Sequence, residues 1–260
     1  MKINLKDVTF LFPIRLDSVI RLENLVIVTN FLLRHFDTNI HILHADGTDN
    51  GFIKKLVNRC VNYTFVEDFD KVFYRTKYLN IMTDNVNTPI VAIWDSDVII
   101  SVKQIVQAVN DIRNGFDVSY PYDGHFYDTT SIIREGFIKY NDVRFLERNK
   151  MKMHLIYGDK CRGGAFIINR ESYLNSGKEN ENFYGWGPED FERFSRWTNL
   201  GYKINCVEGN LFHLTHGRSD NSKFRSTEQY VQSNKELNRT LQSDKKELYN
   251  NIQKNNLDNM

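Results

Sequence analysis

The stretch Ile90-Val91-Ala92-Ile93-Trp94 runs directly into Asp95-Ser96-Asp97, and this junction decides how the chain is read. A short apolar run of this kind, rich in β-branched residues, predicts a buried strand. The polar triplet that follows predicts where the strand meets solvent at the edge of a sheet. Side chains in extended chain repeat every second position, so Asp95 and Asp97 project to one side there. Two such carboxylates suit a hard divalent cation, Mn²⁺ or Mg²⁺, and a cation held there would hold the phosphates of a nucleotide. The same triplet also reads as a solvated strand end or as an N-cap for the following helix, so the surrounding sequence must decide.

Working outward, Val8 to Pro13 is a short apolar run, and Val19, Leu22, Val26 and Leu33 recur at helical spacing between Ser18 and Phe36. Strand Ile40–His44, a turn over 46–51, a helix near 51–59, strand Tyr63–Glu67 and a helix near 73–86 continue the alternation. Alternating strands and helices predict a single α/β domain: a Rossmann-like, mainly parallel central sheet with helices on both faces. Such sheets bind ligands beyond the carboxyl ends of their strands, where Asp95 and Asp97 fall. After a strand near Asp117–Pro121 the pattern lapses, and residues 122–160 read as an irregular excursion, either an active-site wall or lid or a surface insertion. Its Tyr122, Asp123, His125, Phe126 and Tyr127 suit sugar contact, and equally a buried aromatic cluster. Regularity returns with the strand Gly163-Gly164-Ala165-Phe166-Ile167-Ile168 and a helix from Glu189. Residues 1–218 are expected to form the catalytic domain. Residues 219–260 are polar, with sparse Leu237, Leu241 and Leu248, and are expected to form a helical or partly mobile tail.

A chain of 260 residues is long enough to bury a substantial core. Its 34 basic and 33 acidic residues leave a net charge of +1, which gives no bulk attraction for nucleic acid or an anionic membrane. Any bound anion must be held locally. Cys60, Cys161 and Cys206 are odd in number, widely spaced and without C-x-x-C, which argues against a disulfide framework or a zinc cluster. With no signal-peptide pattern and no apolar run of membrane-spanning length, the expected location is cytoplasmic. The polar tail leaves open peripheral association with the inner face of the membrane.

Two further segments carry chemistry. Gly185-Trp186-Gly187-Pro188-Glu189-Asp190 reads as a turn with acids favoured by the helix dipole, or as a sugar site. Glycines there admit close backbone approach, Trp186 offers a stacking face, and two carboxylates bind or deprotonate hydroxyls. In Phe212-His213-Leu214-Thr215-His216-Gly217-Arg218, the two histidines of a strand would face opposite ways, so a shared metal requires the chain to turn between them.

Taken in order, these motifs resemble the nucleotide-sugar glycosyltransferases of the GT-A fold, and among them the β-1,4-galactosyltransferase-like group, glycosyltransferase family 7. The resemblance spans residues 8 to 218. Phe12-Pro13-Ile14-Arg15 is similar to the family's P-x-R segment against the nucleotide, and Phe73-Tyr74-Arg75-Thr76-Lys77 to its F-x-R-x-K segment, whose Phe and Arg contact UDP. Asp95-Ser96-Asp97 matches D-x-D, which implies Asp95 on the ribose side and Asp97 on the metal. Gly163 and Gly164 match the paired glycines beside the donor sugar. The segment 185–190 resembles G-W-G-G-E-D, which implies sugar contact by Trp186, acceptor orientation by Glu189 and a catalytic base in Asp190. His216 falls on the late metal-binding histidine.

Three departures qualify the resemblance. His213 stands where animal members commonly carry a methionine ligand, which points to a harder metal preference that admits Mg²⁺ beside Mn²⁺. Pro188 replaces a glycine and stiffens the segment before the base. Cys161 falls where residue size admits or rejects a C2 substituent, so UDP-GalNAc and UDP-GlcNAc stand beside UDP-Gal as donors. The animal enzymes' anchor and disulfides are missing, which fits a bacterial-style enzyme. The resemblance implies metal-dependent, inverting transfer of a hexose or N-acetylhexosamine from a UDP-sugar to a glycan or lipid-linked glycan, in a polysaccharide biosynthesis setting. Two other classes remain open: a non-catalytic nucleotide-sugar or carbohydrate-binding module, and a nucleotidyltransferase, which leaves the Gly-Trp-Gly segment unexplained.

Overall fold

The computed structural model describes residues 1–158, 160–217, 221 and 223–258. In chain order the elements are β1 (Ile3–Ile14), α1 (Val19–His35), β2 (Phe36–Asp46), α2 (Phe52–Leu56), β3 (Asn62–Glu67), α3 (Arg75–Asp84), β4 (Ile90–Trp94), β5 (Val98–Ile100), α4 (Val102–Arg113), β6 (Val118–Tyr120) and β7 (Phe126–Asp128). They continue with α5 (Ser131–Tyr140), α6 (Val143–Asn149), a 3₁₀ turn (Lys150–Lys152), β8 (His154–Leu155), β9 (Ala165–Asn169), α7 (Arg170–Asn175), α8 (Glu189–Leu200), β10 (Ile204–Cys206), β11 (Leu211–His213), α9 (Thr227–Gln242) and α10 (Lys245–Asp258).

Among the described residues seven strands form the central sheet, in the order β10-β6-β9-β4-β1-β2-β3. The pairs β1–β2, β1–β4, β2–β3 and β6–β10 are parallel, while β9 runs antiparallel to both β4 and β6. The sheet is thus mainly parallel, as expected, with one reversed strand. All five residues of β4 are buried because β1 and β9 flank it and the sheet's faces are covered. Trp94 packs edge-on to Phe10, and Phe166 to Trp197 of α8, joining strands and helices into one core. No helix of the described residues is long and apolar enough to cross a membrane.

A second sheet, β5-β11-β7-β8, folds against the end of β4. It corrects the reading of residues 122–160 as irregular: β7, α5, α6 and β8 all lie within them. Helix α5 starts at Thr130, whose hydroxyl accepts from Ile133 N, and buries Ile133 and Phe137. These elements are only two to ten residues long, too short to set up a clear period in the sequence. Tyr122 is fully buried, its hydroxyl donating to Gly163 O at 2.6 Å, and so makes no sugar contact. His125 is held by Asp123 at 2.6 Å, and Tyr127 packs on Phe212.

Helices α9 and α10 pack beside α8, with Leu248 and Ile252 against Leu200. Arg218, Ser219, Asp220 and Ser222, including the end of the histidine motif and the expected domain boundary, lie outside the described residues.

Candidate active site

Strand β4 ends at Trp94, and the chain turns through Asp95-Ser96-Asp97 into β5. Asp95 N donates to Gly164 O at 2.8 Å, tying the turn to the loop before β9. Strand β5 pairs with β11, setting Val98 opposite His213, and Leu214 N donates to Asp97 O at 2.7 Å. That pairing delivers His213 to Asp97. Beyond β11 the strand conformation ends, and the chain bends so that His216 returns to the same carboxylate. His216 Nε2 lies 3.0 Å from Asp97 Oδ2 and His213 Nε2 lies 3.5 Å from Asp97 Oδ1. One ligand atom from each of the three residues falls within 4.8 Å of the others.

The outer contacts fix which nitrogen faces inward. His213 Nδ1 donates to Asp128 Oδ1 at 2.8 Å, and His216 Nδ1 donates to Gly217 O at 2.8 Å. Both rings therefore present Nε2 to Asp97, an arrangement that orients imidazoles toward a cation. Burial disfavours charge on Asp97, 4% exposed, but the two histidines outweigh it and hold its carboxyl well below the usual range. Burial likewise disfavours charge on His213, but Asp97 and Asp128 raise its pKa to about 10. Arg21 Nη1 approaches Asp97 at 3.7 Å and Arg21 Nε donates to Asp17 at 2.9 Å. A set of one carboxylate and two imidazoles fits a divalent transition ion such as Mn²⁺.

Asp95 faces elsewhere. Arg75, at the start of α3, donates to Asp95 Oδ1 at 2.8 Å, while its Nη1 is buried without a partner. Arg15 is braced by Ala45 O at 2.9 Å and Asp68 at 2.5 Å and lies over the ring of Phe73.

The segment 185–190 closes another side. Gly185 has φ +83°, and a Cβ there would meet Val72 and Gln229 at 2.8 and 2.9 Å. Trp186 is half-buried, edge-on to Phe224 with ring centroids 4.8 Å apart. Pro188 is the N-cap of α8, and Glu189, Asp190 and Glu192 occupy its first turn, where the helix dipole favours acids. Burial, reinforced by the charge of Asp190, pushes Glu189 up to about 8; its Oε2 is buried without a hydrogen bond. Asp190 remains one-third exposed and is gripped by Arg193 at 2.5 Å, which in turn holds Glu179 at 2.7 Å.

One cleft of about 670 Å³ is lined by Pro13, Arg15, Phe73, Arg75, Asp95, Asp97, Gly163, Gly164, Trp186, Glu189, Asp190, His213 and His216, every site residue expected from the sequence. Sequence reasoning missed Arg21, Tyr157, Arg162, Phe224, Tyr230 and Asn234, which also line it. The last two come from α9, in the stretch expected to be a tail; Gln229 on that helix donates to Tyr184 O and Trp186 O at 2.8 and 3.1 Å.

Residues 144–218 match the family described as the N-terminal domain of galactosyltransferase. The solved catalytic domain of Drosophila β1,4-galactosyltransferase 7, in complex with xylobiose, superposes with a TM-score of 0.55 at 16% identity, covering 85% of this chain and 76% of that one. The chain has the GT-A glycosyltransferase fold, and its residues 144–218 are similar to galactosyltransferases. The same GT-A fold is shared with glucosyl-3-phosphoglycerate synthase from Mycobacterium tuberculosis, solved with Mn²⁺, UDP and phosphoglyceric acid (TM-score 0.51, 13% identity, 82% of this chain and 71% of that one). It is shared also with a mannosyltransferase from Pyrobaculum calidifontis, solved with GDP-Man and Mn²⁺ (TM-score 0.52, 14% identity, 82% and 58%). No curated protein matches the chain.

Proposed function

We propose that this chain is a metal-dependent, inverting glycosyltransferase that moves a hexose or N-acetylhexosamine from UDP-Gal, UDP-GalNAc or UDP-GlcNAc to an acceptor hydroxyl, with Asp190 as general base. The carrying observation is that Asp97, His213 and His216, clustered so that they could hold a cation, and the partly exposed carboxylate of Asp190 line one cleft. A mutant of the Drosophila galactosyltransferase was solved with manganese, UDP-Gal and xylobiose, which supports reading the cleft as a donor and acceptor site.

Asp97, His213 and His216 would hold Mn²⁺, or Mg²⁺, and such an ion would supply Lewis-acid stabilisation of the diphosphate leaving group. Arg75, anchored by Asp95, directs its unpartnered Nη1 as a donor to the nucleotide. Phe73 and Pro13 supply apolar surface to the nucleotide, and Gly163 and Gly164 let backbone approach the sugar. Trp186 stacks on a sugar ring. Glu189, held in its protonated form at neutral pH, donates to an acceptor oxygen. Asp190 takes the proton from the attacking hydroxyl, a role that contributes about 10²–10⁴-fold. A glycan or lipid-linked glycan is the acceptor; exposed Met151, Leu155 and Tyr157 beside Lys150 and Lys152 support contact with a membrane surface near the cleft.

The test is to incubate the protein with each UDP-sugar, with and without Mn²⁺, and measure UDP release. Metal-dependent release of UDP is expected. Pyrophosphate release would support a nucleotidyltransferase, and binding without turnover would support a binding module.

A further inference from the structure

Among the described residues the lysines and arginines that line the cleft are Arg15, Arg21, Arg75, Lys160 and Arg162. Arg15 is paired with Asp68, Arg21 with Asp17 and Arg75 with Asp95. Lys160 and Arg162 have no acidic partner among the described residues, and Lys160 is exposed. Both stand on the segment that leads into Gly163.

Arg162 is not a loose surface arginine. Its guanidinium carbon lies 4.7 Å from the ring centre of Phe194 and 5.5 Å from that of Tyr120, so two aromatic rings fix its position. One Nη donates to Cys161 O at 2.9 Å, and Nε is buried without a hydrogen-bond partner. A buried donor left unmade costs stability, and a fixed guanidinium matches the paired oxygens of a carboxylate or phosphate.

Its neighbours tie it to the reaction centre. Phe194 lies one helical turn after Asp190 on α8, on the same face of the helix. Gly163, the next residue after Arg162, abuts the Asp190 carboxylate. An anion on Arg162 would therefore lie beside a substrate positioned at Asp190.

We propose that Arg162, assisted by Lys160, forms an anion subsite for a carboxylate or phosphate carried by the substrate. This rests on the transfer reading for its setting and names the substrate class: the acceptor is acidic, or an acidic sugar is transferred in place of the neutral donor sugars named above. A uronic acid or a sugar phosphate in either place supplies the anion.

Matched acid and neutral ligands distinguish the two sources. With UDP and Mn²⁺ present, methyl β-glucuronide and glucose 6-phosphate are titrated against methyl β-glucoside; separately, UDP-glucuronic acid is titrated against UDP-glucose. The acid member of one set should bind at least about tenfold more tightly. Preference in the first set assigns the anion to the acceptor, and preference in the second assigns it to the donor. Arg162→Gln should reduce that affinity to the neutral level while affinity for UDP itself is unchanged. Equal affinities in both sets, or a preference that survives Arg162→Gln, would overturn the subsite. If Arg162→Gln does not fold, Lys160→Ala at its exposed position carries the test: a preference reduced about threefold supports the subsite, and an unchanged one overturns it. Metal-dependent UDP release by the unmodified protein is followed in parallel. Release without acid preference overturns the subsite alone; no release from any donor overturns the transfer reading, while the binding pairs still decide the subsite.

Discussion

The carboxylate of Asp190 fills the space that a side chain at residue 163 would need: a Cβ on Gly163 would lie 2.5 Å from Asp190 Oδ2. Gly163 is not among the glycines with positive φ, so its backbone accepts alanine and the conflict falls on the carboxylate alone. Gly163→Ala should therefore fold normally, keep its affinity for UDP with Mn²⁺ and lose about 10²-fold in kcat, the scale expected from misplacing a catalytic group by about 1 Å. Thermal unfolding, UDP titration and steady-state kinetics check the three parts. Gly164→Ala should differ. There φ is +82° and a Cβ would meet Phe126 and Leu211 at 2.9 and 3.0 Å, so stability falls with activity.

What was legible in the sequence follows from how local each signal is. Strand β4 could be read because continuous apolarity is what burial on both faces demands, and the Asp pair because strand ends fall where polarity returns. The reversed direction of β9 left no local mark, since Ala165-Phe166-Ile167-Ile168 would serve equally well in a parallel strand; direction is set by the path of the chain before it. Arg193 was hidden for a related reason. On a helix opening with Glu189, Asp190 and Glu192 it reads as part of a solvated face, yet it is 1% exposed and lies over Phe166 and Trp197. The contribution of α9 was missed because Gln229, Tyr230 and Asn234 sit in a polar stretch without a clear apolar stripe, and Gln229 docks through hydrogen bonds to carbonyls rather than through apolar burial.

The Arg193–Glu179 pair makes a prediction about stability. Both side chains are 1% exposed, and Tyr173 also donates to Glu179 at 2.6 Å. Arg193→Met leaves a buried carboxylate without its cation, which should cost about 3–5 kcal/mol in urea unfolding. Adding Glu179→Leu removes the stranded charge and should recover part of the loss. Equal stability of the single variant and the unmodified protein would show that the pair contributes little.

Glu189 predicts a pH dependence. Its carboxyl is raised by burial to about 8 in the folded chain from an ordinary 4.5, so the folded state binds the proton more tightly than the unfolded state. The stabilisation is fully present below about 4.5 and is lost as pH rises through about 8. In protein without metal or nucleotide, Glu189→Gln should flatten the fall in stability across that window. Parallel curves for both proteins, from chemical unfolding at a series of pH values, would contradict the assignment.

The cation set is tested by binding alone. Asp97→Ala should bind UDP equally with and without Mn²⁺, whereas the unmodified protein should bind it more tightly with the metal. His216→Ala should lose most of that metal-dependent gain, since its Nε2 is the imidazole nitrogen nearer Asp97, at 3.0 Å. Titration calorimetry resolves both. Undiminished metal dependence in Asp97→Ala would remove Asp97 from the ligand set.

The most direct test of the whole account is the kcat of Asp190→Asn with the metal-dependent donor and acceptor in place. The substitution keeps the size of the side chain and removes its basicity, so transfer should fall by about 10²-fold or more while affinity for UDP and Mn²⁺ is retained. Transfer at the unmodified rate would contradict the account and place the base elsewhere in the cleft.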